Sequence, residues 1–213
     1  ADDGVTGAPV REAEGVEAAV NAAEQVGYPV ALKARGVTVI HKSDVGGVLL
    51  DLADAAQVRA GYALLTQRLG SALEGVVLQR MYDGRDGLEL IAGVTVDDVV
   101  GPLVLVGAGG VDTELLDDRV VRLPARSKVA ALEQLSGLRC APRFGGYRGR
   151  PPLALNAVAD VLLALGALAS DLPEIRELDL NPLIVSAEGA LALDLRVRAG
   201  RSYPSADARP PTP

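Results

Sequence analysis

The sequence predicts an α/β (α+β) fold in two lobes, each a mostly antiparallel sheet with flanking helices. Three observations carry this. Segments with apolar residues at helical spacing alternate with short apolar runs of strand length. Met81 and Tyr82 are followed by the turn-rich run DGRDG at 83–87, which has the character of a hinge. Near the end, Ser186 to Gly189 separate two apolar runs in the manner of a hairpin turn. With 213 residues, 49% hydrophobic and 23% charged, the chain can bury a substantial core as one domain of two lobes or as two small domains. The expected boundaries are a flexible N-terminus over 1–9, a first lobe over 10–82, a second over 83–200 and a disordered tail over 201–213.

Composition narrows the partners. A net charge of −7, from 21 basic and 28 acidic residues, argues against general binding of nucleic acid or an anionic membrane, where affinity comes from neutralising phosphates. The sequence shows no secretory signal pattern and no apolar run of bilayer length, so the expected location is the cytoplasm. The one cysteine, Cys140, excludes an internal disulfide, fits a reducing compartment and reads as an incidental thiol.

Val16, Val20, Ala23 and Val26 recur at helical spacing before Gly27 and Pro29, with Glu12, Glu14 and Glu17 toward the N-terminal end. A helix is therefore expected over Val10–Val26. The chemically richest stretch follows, from Gly27 to Leu52. A strand over Val30–Ala34 carries Lys33, a polar turn holds the only histidine in His41-Lys42-Ser43-Asp44, and Gly46-Gly47 lead into a strand over Val48–Leu52. Glycine lets the backbone come close and take positive φ, so such a loop can lay N–H groups and cations over a polyanion such as triphosphate. It is not a P-loop, because no GxxxxGK[ST] occurs and the lysines precede the glycines. The His41 imidazole either caps its turn or serves the phosphates, touching a γ-phosphate or accepting a phosphoryl group. Lys42 and Ser43 would help to position them.

Asp54 is the expected N-cap of a helix to Leu69, with Val58, Tyr62, Leu65 and Leu69 on one face and Gly70 ending it. Gly75–Met81 reads as a strand. After the turn at Asp97-Asp98, a strand over Val99–Val106 runs into Gly107-Ala108-Gly109-Gly110. This is no dinucleotide fingerprint, which would need glycine where Asp112 stands. A short helix over 127–136 precedes a loop over 137–152 with Arg139, Arg143, Arg148 and Arg150, either a solvated turn or a dock for a phosphate-bearing partner. An apolar helix from Leu153 to about Ser170 belongs in the core.

The closing hairpin allows a sharper inference. If strands 175–185 and 190–198 are symmetric about Ala187 and Glu188, Asn181 stands opposite Asp194, and Asp179 opposite Arg196. Directly opposed Cβ atoms lie about 4.5–5.5 Å apart. An amide oxygen and a carboxylate at that separation can share one hard cation, and Mg²⁺ uses one or two protein oxygens plus nucleotide phosphates. Asp179 and Arg196 read as an ordinary ion pair.

Four blocks resemble the ATP-grasp domain of ADP-forming (NDP-forming) acyl-CoA synthetases, relatives of the succinyl-CoA synthetase β subunit. They are the stretch 27–52, LELIAGV at 88–94, GPLVLVGAGG at 101–110, and ELDLNPLIV with ALDLRV within 177–197, in the family's order. The resemblance implies an ATP-grasp fold with ATP/ADP (or GTP/GDP) in a cleft between the lobes. It assigns the phosphates to Lys33, Lys42, Ser43, Gly46, Gly47 and Arg122, the adenine to the linker at Met81 and Tyr82, and the ribose to Glu89. It places Mg²⁺ on Asn181 and Asp194, and makes Asp179 a contact for a phosphorylated histidine loop from another domain. By residue type alone, Lys33 and Glu89 read as exposed strand positions and Arg122 as half of a surface ion pair. The implied chemistry is phosphoryl transfer between the nucleotide and a histidine of a CoA-binding partner domain or subunit, in an oligomeric full enzyme. A different class of function is the synthetase-like, ligand-sensing region of a protein lysine acetyltransferase. Retention of Lys33, Asn181 and Asp194 favours the catalytic reading.

Overall fold

The computed structural model describes residues 7–36, 46–82, 87–110 and 113–201. The chain divides into two compact units, one over residues 8–83 and the other from residue 84 onward, which Gly7 joins through a parallel bridge to Ala192.

The first unit contains β1 (Val10–Ala13), α1 (Val16–Val26), β2 (Val30–Arg35), β3 (Val48–Leu52), α2 (Ala55–Leu69) and β4 (Gly75–Arg80). Its sheet runs β1-β4-β2-β3, every pair antiparallel. Val30, Leu32 and Ala34 of β2 and Val76 and Leu78 of β4 are fully buried and form a core with Ala23, Val58 and Leu65 of the helices. α2 begins and ends as its sequence requires. The Asp54 carboxylate accepts from Gln57 N at 2.9 Å, and Gly70 closes the last turn.

The expected helix over Val10–Val26 is corrected at its start. Val10–Ala13 is a strand whose Ala13 pairs with Val76, and Gly15, at φ 90°, separates it from α1. Three of its four residues are exposed, so no local alternation announces it; its partner strand is distant in sequence and overrides local preference. Only Glu17 then stands in the first helical turn, while Glu12 and Glu14 pair with Arg35 at 3.6 and 2.7 Å.

The second unit contains β5 (Leu88–Asp97), β6 (Gly101–Ala108), α3 (Thr113–Leu116), β7 (Arg119–Arg122), α4 (Lys128–Ser136), α5 (Leu155–Asp171), β8 (Ile175–Val185), β9 (Ala190–Ala192) and β10 (Leu195–Ala199). The sheet order is β10-β8-β5-β6-β7, with β9 also on β8, and all pairs are antiparallel. Leu90, Ala92, Val104, Val106, Leu178 and Leu180 share a core with Ala131 and Leu135 of α4 and Val158, Leu162 and Leu165 of α5. The buried Gln134 ties α4 to the sheet by donating to Val104 O at 2.9 Å. Residues of opposite parity lie on the sheet face away from these helices: Glu89, Gly93 and Thr95 of β5, and Glu177 and Asp179 of β8.

β6 starts two residues later than the expected Val99, because the Asp97 carboxylate accepts from both Val99 N and Val100 N and fixes a turn there. The expected strand 190–198 is split between Ala192 and Leu195. In the arginine-bearing loop, Arg139 donates to Leu116 O and Arg143 to Gly87 O at 3.2 Å, while Phe144 is buried. Those two arginines are thus bonded to backbone carbonyls of the second unit. Arg148 lies 5.3 Å over the Tyr147 ring.

Candidate functional site

Asp179 pairs with Arg196 and Leu180 with Leu195 across β8 and β10, and Leu183 with Ala192 across β8 and β9. The same register continues through the interruption, where Asn181 N donates to Asp194 O at 3.3 Å and Leu193 N to Pro182 O at 3.0 Å. Asn181 and Asp194 are thus one rung, as the hairpin symmetry predicts, and both side chains are exposed. The next rungs are Asp179 with Arg196, then Glu177 with Arg198, the last closed by an ion pair at 2.8 Å. Leu178 and Leu180 between them are buried in the core, so the three rungs lie on the face away from α4 and α5. Glu177, Asp179, Arg196 and Arg198 line a cavity of about 180 Å³. The Asp179 carboxyl is held above its ordinary range, first by burial and then by the charge of Glu177; Arg196 pulls the other way.

The donor set fits a magnesium ion that is completed by phosphates. One amide oxygen and one carboxylate share a rung, which is the number of protein oxygens Mg²⁺ takes in nucleotide sites. Among the described residues no group of three or more His, Cys, Asp or Glu could hold a metal ion, so they build no all-protein cage.

Glu89 stands on the same face of the sheet, opposite Ile184. Gly109 donates to Glu89 O at 2.8 Å, and a Cβ at 109 would sit 2.8 Å from Glu89 Cγ. The glycine turn after β6 is packed against Glu89, which is why residue 109 carries no side chain. Arg122 stands opposite Val104, a core residue, so its strand position has the parity of the helix-packed face and not that of Asp179 and Asn181.

In the first unit, Lys33 is half-buried between Val48 and Val77 and has the opposite parity to the core residues Leu32 and Ala34. Gly46 adopts φ 65° and its carbonyl accepts from Arg68 at 3.0 Å; Gly47 O accepts from Ala34 N at 2.7 Å. Met81 N donates to Pro29 O at 2.8 Å, fixing the backbone just past β4, and Met81 and Tyr82 are half-buried. His41, Lys42 and Ser43 lie outside the described residues.

Two features escape the sequence reading. The Glu177–Arg198 rung follows from the register already used for Asn181 and Asp194. Gly93 carries no such signal: it sits opposite Asp179 just after a register shift, where an added Cβ would come within 2.4 Å of Leu178 O.

The surroundings of Cys140 disfavour its thiolate. Burial and then the hydrogen-bonded Asp118 carboxylate push its thiol from 9.0 up to about 12. Little thiolate is therefore present near pH 8. Iodoacetamide should label the folded chain correspondingly slowly and the urea-unfolded chain at the ordinary rate. Fast labelling of the folded chain would contradict this environment. Among the described residues no helix is long and apolar enough to cross a membrane.

A family profile described as ATP-grasp domain matches residues 1–199. Among curated relatives, a trans-feruloyl-CoA synthase from an unknown prokaryotic organism is 39% identical over 198 residues, which are 90% of this chain and 28% of that protein. The β subunit of acetate-CoA ligase (ADP-forming) I from Pyrococcus furiosus is 35% identical over 199 residues, 90% of this chain and 85% of that subunit. The chain therefore spans less than a third of the first relative and most of the second. Among solved structures, a dinucleotide-forming acetyl-coenzyme A synthetase 1 from Ca. Korarchaeum cryptofilum superposes with a TM-score of 0.80 at 32% identity, over 93% of this chain and 87% of that one. It holds coenzyme A and Mg-AMPPCP, with its phosphohistidine segment pointing towards the nucleotide-binding site. By profile, sequence and mixed α/β architecture alike, the chain belongs to the ATP-grasp family, in the line of the β subunits of ADP-forming acetate-CoA ligases.

Proposed function

We propose that the chain is the nucleotide-handling part of an ADP-forming acyl-CoA synthetase, an acid-thiol ligase. It passes a phosphoryl group between ATP/ADP (or GTP/GDP) and a histidine of a CoA-binding partner domain or subunit. The observation that carries this reading is the Asn181–Asp194 rung beside Asp179 on one sheet face. Bound there, Mg²⁺ would supply charge neutralisation for the phosphate oxygens. The chain's own groups orient the nucleotide: Lys33, Lys42, Ser43 and the N–H groups of Gly46 and Gly47 at the phosphates, Met81 and Tyr82 at the base, Glu89 at the ribose; Arg122, on the helix-packed face, is left out of this set. His41 contacts the terminal phosphoryl group or carries it in passing, and Asp179 receives the partner's histidine segment. Little covalent work falls to the protein in such a transfer, so positioning and charge carry the catalysis. The reading places the chain in a cytoplasmic, oligomeric enzyme, where its cysteine stays a thiol. The relatives above are synthetases and ligases, which favours this over a regulatory role.

The test is transfer itself. With Mg²⁺ and ATP labelled at the γ-phosphate, the chain mixed with its CoA-binding partner should place acid-labile label on the partner's histidine. Lys33→Ala should slow that labelling at least tenfold, as expected from losing a charge-assisted contact of about 1.5–3 kcal/mol. A nucleotide-loaded chain that leaves the partner unlabelled would overturn the reading.

A further inference from the structure

We propose that Arg196 is a phosphoryl-binding residue, whose guanidinium takes the phosphoryl oxygens of a phosphohistidine docked in the cavity formed with Glu177, Asp179 and Arg198. The inference rests on the phosphoryl-transfer reading above and adds a residue that reading does not use.

The cavity is polarised. Its β8 wall is acidic, through Glu177 and Asp179, and its β10 wall is basic, through Arg196 and Arg198. Arg198 is committed to Glu177 at 2.8 Å. Arg196 stands across from Asp179 by register and, among the described residues, closes no direct ion pair. Its side chain is exposed on an edge strand and can reach a ligand without leaving a buried partner behind.

A phosphohistidine has the matching polarity. When its second ring nitrogen is protonated, that N–H donates to a carboxylate, while the phosphoryl group on the first presents anionic oxygens to a guanidinium fork. An arginine suits this task better than a lysine because two parallel N–H groups can span two oxygens. Position agrees with polarity. Arg196 follows Asp194 by two residues on the same strand face, roughly 7 Å along the chain, so the docked phosphoryl group lies one rung from the metal pair.

In the nucleotide-forming direction the N–P bond breaks and its electron pair returns to the ring nitrogen. A terminal oxygen of the nucleoside diphosphate forms the new O–P bond, and the imidazole is left neutral with its N–H on the far nitrogen. The phosphoryl oxygens keep their charge throughout, and Arg196 neutralises it in the docked state and as the bond stretches.

Phosphoimidazole is a soluble probe for this site. Titrated into the full chain without nucleotide and followed by phosphorus NMR, it should bind wild type in preference to imidazole. Arg196→Gln should weaken that binding at least tenfold, and Arg196→Lys should recover part of it by restoring charge without the fork. Unchanged circular dichroism and melting temperature would show that both variants fold. Wild-type affinity for phosphoimidazole in Arg196→Gln would overturn the proposal, as would failure of wild type to prefer phosphoimidazole to imidazole. A separate titration with MgADP reads the nucleotide site on the same samples. If MgADP fails to bind, the phosphoryl-transfer reading falls on that result alone, and the phosphoimidazole titration still decides the role of Arg196.

Discussion

Replacing Asn181 and Asp194 together by alanine is expected to lower the affinity for MgADP roughly 100-fold, about 2.7 kcal/mol, while ADP without Mg²⁺ binds the variant and wild type alike. In the proposed site the rung would supply both protein oxygens, one of them carrying the charge that would hold a dication. Without them the ion stays on the phosphates and water, and loses its link to the protein. Both side chains are exposed and the rung's backbone hydrogen bond needs neither of them, so the variant should fold. Asp194→Asn separates charge from geometry, keeping an oxygen in place while removing the negative charge, and should lie between the two. The measurement is calorimetric titration with and without Mg²⁺. Equal losses in both conditions would mean that the rung acts on something other than the metal.

The other large effect concerns stability. Gly93→Ala is expected to destabilise the second unit by about 3–5 kcal/mol, the upper end of what a single substitution costs. An added Cβ would stand 2.4 Å from Leu178 O and 3.4 Å from Asp179 Cα, and these are backbone atoms that no rotamer change can move aside. β5 pairs with β6 on one side and β8 on the other, so relief means separating strands at the centre of the sheet. Gly189→Ala is the control, since nothing lies within 4 Å of a Cβ there. It should stay within about 0.5 kcal/mol of wild type. Urea unfolding should be followed with a probe in the second unit, because two units with separate cores need not melt together. A Gly93→Ala protein as stable as wild type would mean that β5 and β8 run farther apart than described.

The same face explains what was legible in the sequence. Between Ile175 and Val185, residues on one side must enter the core, and a slip of one position would turn Asp179 and Asn181 inward, so register is strongly specified. That is why counting from the centre of the hairpin finds the rungs. The capping of α2 was legible for a similar reason, since Asp54 and Gly70 act through local hydrogen bonds and dihedrals. β1 was not legible, because an exposed four-residue edge strand carries no period and depends on β4 for its existence. Nor could the break between β9 and β10 be read, as the run Leu191 to Val197 looks continuous in residue type. Glu89 is an intermediate case. Its strand was plain, but its packing against Gly109 depends on how the turn after β6 closes back on β5.

The most direct test of the central claim is calorimetric titration of the wild-type chain with ADP and a non-hydrolysable ATP analogue, each with and without Mg²⁺. The account predicts binding that Mg²⁺ strengthens, with the gain lost in the Asn181→Ala, Asp194→Ala double variant. A well-folded wild-type chain that binds neither nucleotide in the presence of Mg²⁺ would contradict it.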